Sequence, residues 1–275
     1  MSRAVGRLVD QTIPSQILGK PMRLHVYLPP YYGEFGMRYP AVYLLHHWGG
    51  TERYWTERLR LHRVAEHLIQ AGAVRPFIVV MPQGDKSFFI NAEDPGGDFS
   101  PILKMDPEFF EQALEGYGRY GDYMLREVIP YVDQTYDTRT DRAARAIGGI
   151  SMGGAGAAVL AFTHSELFSA VGIHSPVLFS ERRLGPPWIY GLGDDRAFAE
   201  RDPAHLALAL ASDCDLRIYL DCGQDDEMSE LTAMLHGAFS GIGVAHTYIT
   251  RPGGHNGDYW RKNLPEYLGF YAAEW

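Results

Sequence analysis

Residues 143–162 read AARAIGGISMGGAGAAVLAF. An apolar run of strand length leads into a serine framed by five glycines, and a run of helix formers follows. A phosphate loop would need GxxxxGK[ST], but no lysine follows Gly153 or Gly154. A dinucleotide fingerprint would need GxGxxG between strand and helix, and that spacing is absent here. What fits is Gly149-Ile150-Ser151-Met152-Gly153, a GxSxG elbow in which a strand turns sharply into a helix and presents the serine hydroxyl on a strained corner. Small flanking residues are required because strand and helix approach closely there.

A serine hydroxyl is a poor nucleophile at neutral pH, so it needs a histidine base and a carboxylate to orient that base. In an elbow fold these follow in the order Ser, Asp or Glu, His, each in a loop after a later strand. LRIYLD (216–221) runs into CGQDDE, which offers Asp225 and Asp226, and either could reach from the strand end. The strand-like AHTYIT (245–250) leads into RPGGHNGDYW, which puts His255 in a glycine-bounded loop. His174 competes as the base because it ends the run SAVGIHS, but it precedes the acid. His25 and His246 fall in predicted strands, and His62, His67, His164, His205 and His236 in or beside predicted helices, where packed or solvated imidazoles are common. No HExxH or paired Cys/His spacing points to a metal, so His46 and His47 read as structural or pocket-lining.

An oxyanion hole needs two backbone N–H groups aimed at the developing charge. Met152, following the nucleophile, supplies one; the other belongs to the loop after an early strand, here YLLHHWGG (43–50). Glycines at 49 and 50 allow that loop a tight turn.

Further apolar runs place the elbow in a layered α/β fold. AVYLLHH (41–47), FIVVMP (77–82), AARAIGGI (143–150), SAVGIHS (169–175) and LRIYLD (216–221) are continuously apolar, as strands buried on both faces should be. MRLHVYLPP (22–30) alternates like a half-exposed strand. Helices are predicted over 54–70, 119–133, 152–164, 203–211, 227–238 and 258–273, giving a central, mostly parallel sheet flanked by helices. No repeat or linker divides the chain, so residues 1–275 read as a single domain. Two long irregular segments, 83–117 with Phe88, Phe89, Phe99, Phe109 and Phe110 and 181–202 with Trp188 and Tyr190, are placed near the ligand site.

With 46% hydrophobic and 21% charged residues the composition is that of a globular protein. A formal charge of −9 gives no basic field for phosphates, which argues against nucleic acid or an anionic membrane as partner. The N-terminal MSRAVGRLVDQTIPSQ has no apolar signal-peptide core, and no apolar run approaches membrane-spanning length, so a soluble, cytoplasmic chain is expected. If the residues between Cys214 and Cys222 form a strand, the two cysteines lie roughly 25 Å apart, beyond the about 7 Å reach of a disulfide. The sequence leaves a homo-oligomer open.

Taken together, LGKPMRLHVYLPPYY (18–32), YLLHHWGGTERYW (43–55), VVMPQG (79–84), LREVIPYVDQTYDTRTDRAARAIGGISMGGAGA (125–157), DCGQDDE (221–227) and GGHNGDYW (253–260) resemble a known family. It is the α/β-hydrolase putative-esterase family, which includes esterase D, S-formylglutathione hydrolase, feruloyl esterases, enterochelin esterase and the mycolyl transferases. The resemblance implies Ser151 as nucleophile, His255 as base and the acid at the G-x-x-D position, which is Asp226. It implies Trp48 as the second oxyanion donor, with no cofactor. Where the family's HGxGG loop carries a second-position glycine this chain has His47, which would bend the loop or narrow the pocket. Trp48, bulky and beside the oxyanion donor, is expected to limit the acyl pocket, with His47 lining it. The cysteine of the S-formylglutathione hydrolase subgroup is missing from the loop. The expected activity is hydrolysis of short-chain or aryl carboxylic esters, small-molecule or carbohydrate-linked, through an acyl-enzyme on Ser151. Its rivals are acyl transfer with the same triad, and an inactive carbohydrate-binding module.

Overall fold

The computed structural model describes residues 5–92, 115–179, 189, 195–210 and 215–275. The strands β1 (Arg7–Ser15), β2 (Lys20–Leu28), β3 (Ala41–Leu45), β4 (Ile78–Pro82), β5 (Arg145–Ile150), β6 (Ala170–His174), β7 (Arg217–Gly223) and β8 (Thr247–Arg251) form one eight-stranded sheet. Their order is β1-β2-β4-β3-β5-β6-β7-β8; β2 runs antiparallel to both neighbours, and every pair from β4 to β8 is parallel.

Among the described residues the helices are α1 (Tyr54–Glu57), α2 (Leu61–Gln70), α3 (Tyr120–Tyr123), α4 (Ile129–Thr135), α5 (Met152–Thr163), α6 (Asp195–Ala199), α7 (Pro203–Leu208), α8 (Ser229–Gly241) and α9 (Gly257–Ala272). Successive strand residues point to opposite faces, so β3 and β5 feed two cores. Tyr43, Leu45 and Ile147 pack with residues of α3, α4, α5 and α8, whereas Val42, Leu44, Ala146 and Ile150 pack with α2 and α9. This double coverage explains why β3, β4, β5 and β6 are buried throughout and read as unbroken apolar runs.

The chain leaves β3 toward β4 on one side, then returns to β5 on the other. The crevice at the carboxyl ends of β3 and β5 is therefore a topological switch point, the usual ligand position in open α/β sheets. Both the 46–50 loop and the serine elbow open there.

Several elements differ from the sequence expectations for reasons of packing. β2 is buried from Leu24 to Leu28 rather than half-exposed, because β1 and β4 flank it and both cores reach it. β1 was not expected; as an edge strand with mostly solvent-facing side chains it has little apolar pattern, and the edge tolerates Pro14. The expected 54–70 helix is split by Arg60, whose left-handed φ of 60° ends one turn and starts the next. The expected 119–133 helix widens into a π turn over Met124–Val128 immediately before Pro130, which has no N–H to give the ladder.

Candidate active site

The elbow joins β5 to α5 at Ser151, whose φ of 58° and ψ of −121° lie outside the ordinary regions for a side-chain-bearing residue. Neighbouring backbone holds this strained corner. Ser151 N–H donates to His174 O at 2.9 Å, and Ser151 O accepts N–H groups from Gly154 at 3.0 Å and Val177 at 3.1 Å. The motif glycines are steric necessities: a Cβ on Gly149 would lie 2.2 Å from Gly153 O, and one on Gly153 would lie 2.5 Å from Leu45 O. Backbone cannot yield there as a flexible side chain could.

The loop after β8 brings His255 over the elbow, with its Nε2 2.8 Å from Ser151 Oγ. Its Nδ1 lies 3.0 Å from both carboxylate oxygens of Asp226, in the turn after β7. A carboxylate only accepts, so Nδ1 carries the proton and Nε2 presents its lone pair to the serine hydroxyl. Burial alone would raise the Asp226 pKa, but the hydrogen bonds from His255 and from Met228 N–H, at 2.9 Å, hold it below the ordinary carboxyl value. Asp226 is therefore ionised at neutral pH. The sequence left two acids open, and the turn separates them: Asp226 is buried and Asp225 exposed. Asp225 is left to solvent; α8 begins at Ser229, and it is Asp226 that receives the Met228 N–H.

His174, the competing base, is engaged elsewhere. Its Nδ1 meets Asp221 at 2.7 Å and its Nε2 meets the Tyr271 hydroxyl at 2.9 Å, in a fully buried network completed by the Tyr259 and Tyr267 hydroxyls on Asp221. Only its backbone carbonyl serves the elbow. Cys222 is a buried free thiol whose pKa burial pushes up to about 12, so it stays protonated and is no thiolate nucleophile.

The loop after β3 lies against the start of α5. His46 is buried; its Nε2 accepts Gly84 N–H at 3.0 Å while Nδ1–H donates to His47 O at 2.8 Å. Burial lowers its pKa to about 4, so it is a neutral strut. His47 is not among the non-glycine residues with left-handed φ; in this loop that conformation falls to Gly49, at φ 70°. The half-buried Trp48 packs on Phe88 at 6.0 Å, with the Lys86 ammonium 5.9 Å from its ring. Met152 is the first residue of α5, where N–H groups have no intrahelical acceptor and the helix dipole presents its positive end.

Sequence reasoning missed the aromatic setting of His255. Trp260, on the first turns of α9, meets His255 edge-on at 5.2 Å and His47 face-on at 6.0 Å, and Tyr54 closes on His47 at 4.2 Å. Its signal was present in GGHNGDYW, five residues beyond His255. It also missed the strain at Phe88 and Phe89, both at φ 57°, where the loop after β4 presses on Trp48 and His46. Of the two long segments placed near the site, residues 84–90 do adjoin it. Phe99, Phe109, Phe110, Trp188, Tyr190 and Cys214 lie outside the described residues. Among the described residues no cluster of three or more His, Cys, Asp or Glu could hold a metal, and no helix is long and apolar enough to cross a membrane.

Comparison with known proteins places the chain in a family. A family profile described as putative esterase matches residues 15–271. The chain is 31% identical over 186 residues to an endo-1,4-beta-xylanase/feruloyl esterase of Xylanibacter ruminicola, an alignment covering 66% of this chain and 23% of that larger protein. It is 23% identical over 251 residues to an acetyl esterase of Caldicellulosiruptor saccharolyticus, covering 86% of this chain and 82% of that one. Among solved structures, a ferulic acid esterase superposes with a TM-score of 0.80 at 25% identity, covering 99% of both chains. By the profile match the chain belongs to the putative-esterase family, and by superposition it has the α/β-hydrolase fold.

Proposed function

We propose that the chain is a single-domain serine carboxylesterase that hydrolyses esters of short-chain or aryl acids. The observation that carries this reading is the unbroken hydrogen-bond path from Ser151 Oγ through the His255 imidazole to the buried Asp226 carboxylate, on an elbow held in a strained conformation. Relatives named feruloyl esterase and acetyl esterase support the substrate class, a small-molecule or carbohydrate-linked ester.

In the first half-reaction His255 Nε2 takes the Ser151 proton as Oγ attacks the ester carbonyl. The C=O pair moves onto oxygen, and that oxyanion is met by the Trp48 and Met152 amides. Met152 lies at the positive end of α5, which adds to the stabilisation. When the carbonyl re-forms, the C–O bond to the alcohol breaks and His255 returns the proton to the leaving alkoxide. Water then enters, His255 takes its proton, and the same steps release the acid and restore Ser151. Asp226 fixes the imidazole tautomer and balances the imidazolium in both halves without itself accepting a proton. No cofactor enters the scheme.

The test is a screen of p-nitrophenyl esters of graded chain length together with methyl ferulate and acetylated xylan, on the wild-type chain and on Ser151→Ala. Turnover by the wild type that Ser151→Ala abolishes, with an unchanged circular dichroism spectrum, is the expected result. Equal turnover by both would refute the reading.

A further inference from the structure

Position 47 is glycine in the family loop that this chain resembles, yet the loop here does not use glycine's conformational freedom at that residue. What the side chain contributes is a hydrogen bond. His47 Nδ1 lies 2.6 Å from Trp48 O. A carbonyl can only accept, so Nδ1 carries the imidazole proton, and Nε2 is left as a buried lone pair without a partner. Burial, opposed by the Trp48 carbonyl and reinforced by His255, lowers the His47 pKa and keeps this neutral tautomer. The ring is itself immobilised, edge-on to Tyr54 at 4.2 Å and stacked on Trp260 at 6.0 Å.

Two peptide groups flank the Trp48 Cα. In the first, His47 O accepts His46 Nδ1–H at 2.8 Å and Gly50 N–H at 2.9 Å. The C=O and N–H of a trans peptide point in opposite directions, so holding that carbonyl sets the direction of the Trp48 N–H. The second peptide, Trp48 C=O with Gly49 N–H, leads into a glycine that resists rotation weakly. His47 Nδ1–H donates to that carbonyl and so restrains the plane. With both planes fixed, the backbone at Trp48 has no free rotation left.

We infer that His47 is a positioning residue for the oxyanion hole: its Nδ1–H holds the Trp48–Gly49 peptide while His46 and Gly50 hold the peptide that carries the Trp48 N–H, so that the loop cannot rotate about the Trp48 Cα and swing that N–H away from the developing charge. The inference rests on the proposed esterase reading. It assigns to a side chain the restraint that a glycine at this position cannot supply, and it separates the hydrogen bond from the bulk of the ring.

Two substitutions test that separation. His47→Phe keeps a ring between Tyr54 and Trp260 but removes the donor; His47→Asn loses the ring but can present an amide N–H at the place of Nδ1. On p-nitrophenyl acetate, His47→Phe is expected to lose about 10- to 100-fold in kcat with KM changed less than about threefold, as for a misaligned oxyanion donor. His47→Asn is expected to recover kcat to within about threefold of wild type. Full kcat in His47→Phe, or an equal loss in both variants, overturns the inference. Should a variant fail to fold, imidazole 15N spectra of the wild-type chain decide: His47 must show a protonated Nδ1 and a bare Nε2, and the opposite tautomer overturns the clamp. The two readings fail distinguishably. Absence of Ser151-dependent turnover in the wild type defeats the esterase reading, whereas normal turnover with the wrong tautomer defeats only the clamp.

Discussion

Replacing Asp226 by asparagine changes one atom and should remove most of the activity. The carboxylate is fully enclosed, faces His255 Nδ1 with both oxygens at 3.0 Å and also accepts Met228 N–H at 2.9 Å. In the amide one acceptor becomes a donor. Met228 N–H still needs an acceptor, so the amide oxygen turns to it and the NH2 group is left facing Nδ1. The imidazole then answers with a bare Nδ1 and a protonated Nε2, and a protonated Nε2 at 2.8 Å from Ser151 Oγ cannot take the hydroxyl proton. By analogy with triads in which the acid amide imposes this tautomer, kcat should fall about 10⁴-fold, or about 5.4 kcal/mol in the barrier. The exposed Asp225 has no such geometry, and Asp225→Asn should lower kcat by no more than about threefold. The assay is steady-state turnover of p-nitrophenyl acetate at saturating substrate, with folding checked by circular dichroism. If Asp226→Asn retains more than about a tenth of wild-type kcat, or if both variants lose activity alike, the single-acid account is wrong.

Further outcomes follow from the same geometry. Trp48→Ala should shift the kcat/KM preference toward longer acyl chains, because a half-buried indole beside the oxyanion donor is removed; an unchanged chain-length profile would show that the ring lies away from the acyl group. Gly149→Ala would set a Cβ 2.2 Å from Gly153 O, so thermal unfolding should show a large loss of stability or no folded protein, whereas wild-type Tm would contradict the packing of the elbow. His46 gives a pH signature. Its pKa is lowered from 6.5 in the unfolded chain to about 4 in the folded one, so between these values the unfolded state binds more protons and stability falls as pH drops. The loss should approach about 3 kcal/mol and level off once the folded protein protonates as well. Urea unfolding at about pH 7 and about pH 4.5 should therefore show a smaller pH-dependent loss in His46→Gln than in wild type, and equal losses would place the titration elsewhere.

The sequence makes the centre of the fold legible and its margins obscure, for one physical reason. Strands β3 to β6 are covered on both faces, so their burial is written locally as apolar runs, and the GxSxG turn between β5 and α5 follows from steric need within five residues. β1 has one face in solvent and one neighbour in the sheet, and neither leaves a pattern in a nine-residue stretch. The acid shows the same division. Asp225 and Asp226 have the same chemistry, and the register of a resembling motif, not local physics, pointed to Asp226; its burial comes from the fold. His174 misled as a candidate because a strand-end histidine is compatible with catalysis until Asp221 and Tyr271 are seen to occupy both nitrogens. Likewise Trp260 and Tyr54, far apart in the chain, become neighbours of His255 and His47 only when α9 and α1 pack together beside the site.

The central claim is that Ser151 is the nucleophile, and covalent labelling tests it most directly. A serine-directed fluorophosphonate, followed by intact-mass measurement and peptide mapping, should add one label per chain, at Ser151. The label should be absent from Ser151→Ala and slowed strongly in His255→Ala, in which the 2.8 Å contact to the hydroxyl is gone. Stoichiometric labelling of another serine, with ester turnover retained in Ser151→Ala, would contradict the account.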